Sequence, residues 1–390
     1  MRVIQLISGA GLAGADRVAM NLGAGLRSLG HETIYAIGDW FVWRSHLYSA
    51  GFATWSIRQF RGLNRTVLRD FVRQTRPDDL IVAHDSGARH LVLAARFFGL
   101  RSRVWLVRHC MAARHAVGAS LLHRFLVERQ VAVSDAVRLS VIRSGFPGHR
   151  ITRIYPGIEL PLFAAKDGPA DTLLRQRCLG PPADDRLTIG IVARYHPRNL
   201  RKAQKPDPKG YDLLFHALAG VRFPHRILML GPSEPGADDQ LRDLARAAGK
   251  APADLVFGGF TWDIAPYYRL MDLNVLPSRG EGLGLALVEG MAAGVCSVGA
   301  ANGGMLEIIE DGRTGILFPT GDALALRNQL ERLAADPALR AQLGRAGRES
   351  VRARFSAPRM VQEFDQLACR PVARGAGGGG AQGSAVVVAS

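Results

Sequence analysis

The chain has 390 residues, 47% apolar and 22% charged, with 50 Lys and Arg against 34 Asp and Glu. That length and balance supply cores for two or three domains and exclude a disordered, collagen-like or disulfide-stapled chain. The formal charge of +16 is scattered rather than gathered in one block, and it draws polyanions: nucleic acid, phosphate-rich substrates or the acidic face of a membrane.

The first apolar run, RVIQLIS, reads as a strand and leads straight into GAGLAG, a literal G-x-G-x-x-G at Gly9, Gly11 and Gly14. Glycines let the backbone turn tightly there, and the next helix presents free N–H groups and a partial positive charge to an anion. Val18, Leu22, Leu26 and Leu29 then fall at helical spacing, before a second apolar run from Thr33 to Ile37. Alone, the motif fits either a dinucleotide site, with Asp39 as the ribose acid, or a generic strand, loop and helix.

Further strands are expected at DDLIVAHD, RVWLVRH, RQVAVS and ITRIYPG, each followed by a helix-period segment. Short β-runs alternating with helices build a parallel sheet covered on both faces, so residues 1–165 read as one doubly wound α/β domain. Residues 166–185, with Pro169, Pro181 and Pro182, break the rhythm and read as a linker. The alternation restarts over 186–350 with RLTIGIVAR, HRILMLG, ADLVFGGF, DLNVLPS, GVCSVGA and TGILFPT, a second doubly wound sheet. Two such domains leave a cleft at the carboxyl ends of their strands, where ligands of this fold class bind. A C-terminal helix over 351–370 is expected to pack back on the first domain, and the low-complexity tail 371–390 to be disordered. The basic insertion at 195–209, rich in proline and without apolar periodicity, reads as a mobile loop.

Cys110, Cys178, Cys296 and Cys369 lie far apart with no C-x-x-C, against a zinc site or a disulfide framework and in favour of a reducing compartment. No stretch of 18 apolar residues is free of charge, and the first apolar run meets charge and glycine too soon for a signal peptide. The expectation is a cytoplasmic protein, at most peripheral on the inner face of the plasma membrane.

The segment SRGEGLGLALVEGMAAG, 278–294, is the most informative. A strand runs through a turn into a helix opening around Gly282-Leu283-Gly284, with Glu281 before it and Glu289 eight residues on. Eight helical residues advance about 12 Å and set two side chains about 80° apart, comparable with the span from sugar to ribose in a nucleotide sugar. One carboxylate would then accept from sugar hydroxyls and the other from the ribose diol, with the helix N-terminus facing the diphosphate.

This E-x7-E pattern, with VFGGF upstream and GAANGGMLEIIEDGRTGILFPTGD downstream, resembles the retaining glycosyltransferases of family 4, whose GT-B fold pairs two Rossmann-like doubly wound domains across an interdomain cleft. The resemblance extends over nearly the whole chain. GAGLAGADRVAMNLGAGLRSLGHE looks like the family's first loop and helix, AVSDAVRLSVIRSGFPGHRITRIYPGIE like the close of its first domain, and IGIVAR with KGYDLLFHAL like the start of its second.

The resemblance implies transfer of a hexose-like unit from a nucleoside diphosphate sugar, of UDP or GDP, to an acceptor hydroxyl. By position, Arg194 and Lys209 match the basic pair on the donor diphosphate, Glu289 the ribose ligand and Glu281 the acid at the donor sugar. Gly282, Leu283 and Gly284 match the backbone that meets the donor. His109 matches the histidine that approaches sugar and acceptor, and Gly11 and Gly14 the loop near the donor phosphates or acceptor. Leu283 replaces the usual aromatic, Pro156-Gly157-Ile158-Glu159 replaces N-G-[VI]-D, and the basic insertion stretches the spacing so that Lys202 or Lys205 could stand in for Lys209.

Outside that context Glu281 and Glu289 read as a capping acid and a solvated helix residue, Arg194 and Lys209 as surface charges, and His109 as a core histidine. Glu307 reads either as a ligand or as a helix anchor, and His84-Asp85 as possible acceptor contacts. No D-x-D is present to hold a divalent cation, so the expected chemistry uses no metal and no cofactor, the charge coming from Arg, Lys and helix dipoles. The expected acceptor is an envelope glycan or lipid-linked glycan of lipopolysaccharide or exopolysaccharide assembly; nucleic acid is not expected. Trp40, Phe41, Trp43 and Trp55 lie among arginines, a composition that suits an anionic membrane interface or the packing of a core helix. Competing readings are a nucleotide-sugar epimerase or phosphorylase, a nicotinamide-dependent oxidoreductase using GAGLAG, and a non-enzymic polyanion binder.

Overall fold

The computed structural model describes residues 1–9, 14–39, 41–57, 64–111, 123–164, 169–180, 185–195 and 206–370. Within them the strands form two sheets in which every pairing is parallel. The first sheet holds β1 (Arg2–Ile7), β2 (Glu32–Gly38), β3 (Ala53–Ile57), β4 (Leu80–Ala83), β5 (Arg103–Arg108), β6 (Arg129–Ala132) and β7 (Ile151–Arg153), in the order β3-β2-β1-β4-β5-β6-β7. The second holds β8 (Leu187–Val192), β9 (His225–Leu230), β10 (Leu255–Gly259), β11 (Leu273–Leu276), β12 (Cys296–Ala300) and β13 (Ile316–Phe318), in the order β10-β9-β8-β11-β12-β13. The strand order reverses between β1 and β4 and between β8 and β11, and a crevice opens at the carboxyl ends of those strands. The edge strand β3 was not expected: in ATWSI only Ile57 is buried, so the segment lacks an apolar run.

Two stretches differ from the sequence reading. The proposed linker carries a helix, Pro169–Leu179. Proline is tolerated in a first helical turn, whose N–H has no partner to lose, and Arg269 Nη2 ties this helix to the second domain at Asp171 Oδ1, 2.7 Å away. The single helix expected over 351–370 is instead the end of Pro337–Arg354 followed by a separate helix, Ala357–Cys369. They break at Phe355-Ser356, where Ser356 caps the second by accepting from Arg359 N–H at 3.4 Å.

This last helix crosses back onto the first domain. The crossing is tied by Ile158, whose N–H donates to Phe355 O and whose O accepts from Ala357 N–H, both at 2.9 Å. Trp105 and Phe364 rings stack at 5.0 Å, and His31 Nε2 meets Asp365 Oδ1 at 2.8 Å. A Cβ on Gly25 would sit 2.2 Å from Val361 Cγ2, so only glycine allows the first and last helices this approach. One apolar cluster consequently runs from Val3 and Trp105 through Phe355 and Phe364 to Leu287, and the two domains share a core beneath the cleft. The tail 371–390 lies outside the described residues.

Candidate active site

A cavity of about 590 Å³ lies between the domains. The first domain contributes Gly14, Arg17 and His109 to its walls, and the second Arg194, Lys209, Glu281, Leu283, Gly284 and Glu289. Sequence reasoning named all of these except Arg17. Gly11 lies outside the described residues, as do Lys202 and Lys205. Gly282 does not line the cavity; it serves elsewhere, as described below.

On the second-domain wall, the helix carrying Glu289 runs from Leu285 to Ala292 and is entered through Gly284 at φ 101°, a left-handed conformation that glycine adopts without strain. Residues 281–284 are therefore not helical, and the expectation of an unbroken helical rise from Glu281 to Glu289 is corrected. The loop is held instead by Asn302, which accepts from Glu281 N–H at 3.3 Å and donates to Ser278 O at 2.8 Å. Leu285 and Ala286 of the helix's first turn line the cavity. Gly14, at the start of the first helix, faces them so closely that an added Cβ would be 3.3 Å from Leu285 Cδ2. Two helix N-termini, each the positive end of a helix dipole, thus converge on one space.

Lys209 reaches that space through its neighbours. Arg279 grips Asp212 with both terminal nitrogens at 2.7 and 2.9 Å and donates to Asp207 O at 2.6 Å. Gly210, at φ 77°, is so close to Pro277 that a Cβ would fall 2.2 Å from its carbonyl oxygen. The loop so fastened sets Lys209 Nζ 2.6 Å from Glu281 Oε1. Arg194, following β8, is exposed at the cavity and has no ion-pair partner among the described residues.

Glu289 is 5% exposed, and both its oxygens are engaged. Tyr268 OH donates to Oε2 at 2.9 Å, and Arg17 Nη1 of the first domain donates to Oε1 at 2.8 Å. Arg17 also donates to Trp262 O at 2.5 Å and lies over the Trp262 ring at 4.8 Å. Burial and the Glu289 carboxylate both push the Tyr268 phenol well above its usual value, so it stays a donor. Arg17, Tyr268 and Trp262 escaped sequence reasoning. Arg17 alone left a trace, one helical turn beyond Gly14 and so on the same face.

On the first-domain wall, His109 follows β5. Burial pushes it down to about 4, opposed by Asp85 and reinforced by Arg108, and its buried Nε2 has no partner among the described residues. His84 and Asp85 are not placed for acceptor contact. His84 is buried against Gln5 Oε1 at 2.6 Å. Asp85 caps its helix through Ala88 N–H at 2.9 Å and pins the first loop, accepting from Ser8 N–H at 2.6 Å and Gly9 N–H at 3.3 Å as well as from the Ser8 hydroxyl.

The domains meet just behind the loop 281–284. A Cβ on Gly282 would lie 1.9 Å from His109 O, and Ser134 Oγ donates to Gly282 O at 2.5 Å. Glu307, from the second domain, accepts from Asp135 and Ala136 N–H at 2.9 and 2.8 Å and from Tyr155 OH at 3.0 Å. It anchors a helix, but one of the opposite domain rather than its own. Among the aromatics of the first domain, Phe41 is buried and Trp43 packs at a tilt against Trp262, ring centroids 4.7 Å apart; Trp55 lies under Arg2, and Trp40 is outside the described residues.

The cavity's side chains comprise three cations, Arg17, Arg194 and Lys209, against two carboxylates, Glu281 and Glu289, and with the two helix ends its balance favours an anion. Among the described residues, no group of three or more His, Cys, Asp or Glu is placed to hold a metal ion, and no helix is long and apolar enough to cross a membrane.

The family model described as Glycosyltransferase Family 4 matches residues 12–161, and that described as Glycosyl transferases group 1 matches 200–336. Among curated relatives, the D-inositol 3-phosphate glycosyltransferase of Xylanimonas cellulosilytica is 32% identical over 267 residues, 63% of this chain and 60% of the relative. The protein of the same description from Stackebrandtia nassauensis is 32% identical over 218 residues, 53% and 46% respectively. The chain thus spans about half the length of these relatives. Among solved structures, HepE from Anabaena in complex with UDP and glucose superposes with a TM-score of 0.82 at 21% identity, over 94% of this chain and 99% of that one. The fold is that of the GT-B glycosyltransferases.

Proposed function

The chain belongs to the group 1 glycosyl transferases, with a family 4 domain preceding, and on that premise we propose that it is a retaining, metal-independent glycosyltransferase. The donor is a nucleoside diphosphate sugar, and UDP, with which HepE forms its complex, is the first to test. In this reading Glu289 takes the ribose hydroxyls, exchanging Arg17 for them at Oε1. Arg194, Lys209 and the two helix N-termini hold the diphosphate and neutralise the charge that grows as it departs. Glu281 accepts from the sugar hydroxyls, and neutral His109 faces sugar and acceptor. The acceptor oxygen bonds to the anomeric carbon as its bond to phosphate breaks, and the acceptor's hydroxyl proton passes to the departing phosphate.

The observation that supports this most is the convergence of Gly14, Arg194, Lys209, Glu281, Glu289 and His109 on one cavity, from segments scattered between residues 14 and 289. The test is incubation with labelled UDP- and GDP-sugars, with and without chelator. Release of nucleotide unaffected by chelator is expected; its abolition would reject metal independence, and failure of any nucleotide to bind would reject the reading.

For the acceptor we propose an envelope or lipid-linked glycan, met by a cytoplasmic enzyme peripheral to an anionic membrane. Supporting this are the charge of +16 and two exposed phenylalanines, Phe97 and Phe125, which flank the contact of Arg96 Nε with Leu126 O at 3.1 Å and lie near Arg101 and Arg124 in the chain. Binding to phosphatidylglycerol vesicles at low salt, weakened when both phenylalanines are changed to Ser, is the expected result.

A further inference from the structure

Arg108 ends β5 with the parity of Val104 and Leu106, whose side chains pack with Ala88, Leu91 and Val92 of the helix Ser86–Arg96. It therefore emerges on that helix's side of the sheet, at the carboxyl edge, immediately before the cleft residue His109. The same helix, capped by Asp85, carries Arg89 at the end of its first turn and His90 next to it, with no acidic residue within that turn. Cations at the positive end of a helix oppose the macrodipole, the reverse of what stability selects. Yet neither Arg89 nor Arg108 has a hydrogen-bond or ion-pair partner among the described residues. Asp85, the carboxylate that acts on Arg89, is already engaged by Ser8, Gly9 and Ala88.

His123 completes the cluster. It is 4% exposed with an unpartnered buried Nδ1, and Arg89, Arg108 and His90 all act on it electrostatically. Burial and the neighbouring Arg89 push Arg108 itself down to about 10. Half-buried like charges without a counter-ion are costly to fold. A helix N-terminus, two guanidinium groups and a buried imidazole nitrogen, the side-chain groups all without a hydrogen-bond or ion-pair partner among the described residues, form a site short of one anion.

We propose that Arg89 and Arg108 hold a phosphate carried by the acceptor, at the carboxyl edge of the first sheet and one residue before His109 of the cavity wall. The proposal rests on the transferase reading above and deepens it: the acceptor is a phosphorylated glycan or a glycan on a lipid phosphate. Guanidinium groups suit this because their planar forks donate two hydrogen bonds each to phosphate oxygens. The phosphate stays intact through transfer, serving to place the attacking hydroxyl toward the donor.

Full-chain protein is titrated with glucose 6-phosphate, with glucose as the uncharged control, and with phosphatidylglycerol vesicles. Wild type, Arg89→Gln and Arg108→Gln are compared, and UDP binding is measured on each. Glucose 6-phosphate should bind wild type and lose about tenfold in affinity with either variant, the effect of one charge-assisted hydrogen bond, while glucose binds none of them. If only vesicle binding falls in the variants, the phosphate is a lipid's. Both variants should bind UDP as wild type does and melt no lower, since each sheds an unpaired cation. Equal binding of both phosphate probes by all three proteins overturns the proposal, as does a lowered melting temperature with unaltered phosphate affinity, which would make the arginines structural. Absence of UDP binding in wild type would instead strike the transferase reading and leave the phosphate titration to be judged alone.

Discussion

Arg17 Nη1 and Glu289 Oε1 lie 2.8 Å apart across the cleft, though 272 residues separate them in the chain. The side chains are 18% and 7% exposed, so the pair is largely shielded from water and from salt. It spans the two domains at the carboxylate assigned to the ribose. In the proposed reading Arg17 is the group that yields Glu289 Oε1 to the ribose of an entering nucleotide. Arg17→Ala should then tighten the binding of uridine, which has no phosphate to attract Arg17, by roughly tenfold, or about 1.4 kcal/mol. Calorimetric titration of both proteins with uridine measures it; weaker binding by the variant would show that Arg17 assists the nucleoside rather than competing with it.

Gly282 marks the closest approach of the domains, a Cβ there falling 1.9 Å from His109 O. Gly282→Ala must push the first domain away while leaving the proposed ribose and diphosphate residues in the second untouched. We expect UDP affinity to stay within about threefold and turnover to fall by on the order of a hundredfold, because misplacement by an ångström is that costly to transfer. Small-angle scattering should show the variant more open. Full activity in Gly282→Ala would mean that catalysis does not use this closed arrangement.

Glu307 offers a carboxylate to two N–H groups at the start of the helix Asp135–Arg143 in the opposite domain. Its removal leaves those donors and Tyr155 OH without a partner, at a cost of about 1–3 kcal/mol. Glu307→Ala should lower the melting temperature, with Glu307→Gln, which keeps an acceptor oxygen, falling between. Equal melting of Glu307→Ala and wild type would deny the clamp.

Histidine burial sets the acid side of the stability curve. His109 and His123 are pushed from 6.5 down to about 4, and His84 well below 6.5, chiefly by desolvation. The unfolded chain therefore takes up protons below about pH 6.5 that the folded chain refuses until about 4, so stability falls with pH across that window. Asp207, raised by burial, acts in the opposite sense, and the variants rather than the wild-type slope carry the test. His109→Gln should flatten the fall in melting temperature between pH 6.5 and 5; an unchanged slope would mean that His109 titrates normally.

What the sequence revealed depended on range. The strands of both sheets were legible from apolar runs between helix-period segments, and β3 was not, because ATWSI packs only its last residue inward. The helix Pro169–Leu179 hid behind its prolines, a break in pattern that a first helical turn accommodates. In the cleft, Glu281 and Glu289 were readable because one loop and one helix carry both, although the loop's non-helical path was not. The partnership of Arg17 with Glu289 and Trp262 depends on how two domains dock, and no local spacing encodes that. His84 and Asp85 misled because the end of a central strand faces the cleft by topology, yet here their side chains fasten the first loop.

In the proposed reading the cleft grips an activated nucleotide through Glu289. The most direct test is calorimetric titration of UDP and GDP into wild type and Glu289→Gln, with folding checked by thermal melting. We predict that one nucleotide binds wild type and that the variant, still folded, loses about 10- to 100-fold in affinity, as expected when hydrogen bonds to a charged acceptor become neutral. Equal affinity in the two proteins would show that Glu289 does not hold the nucleotide.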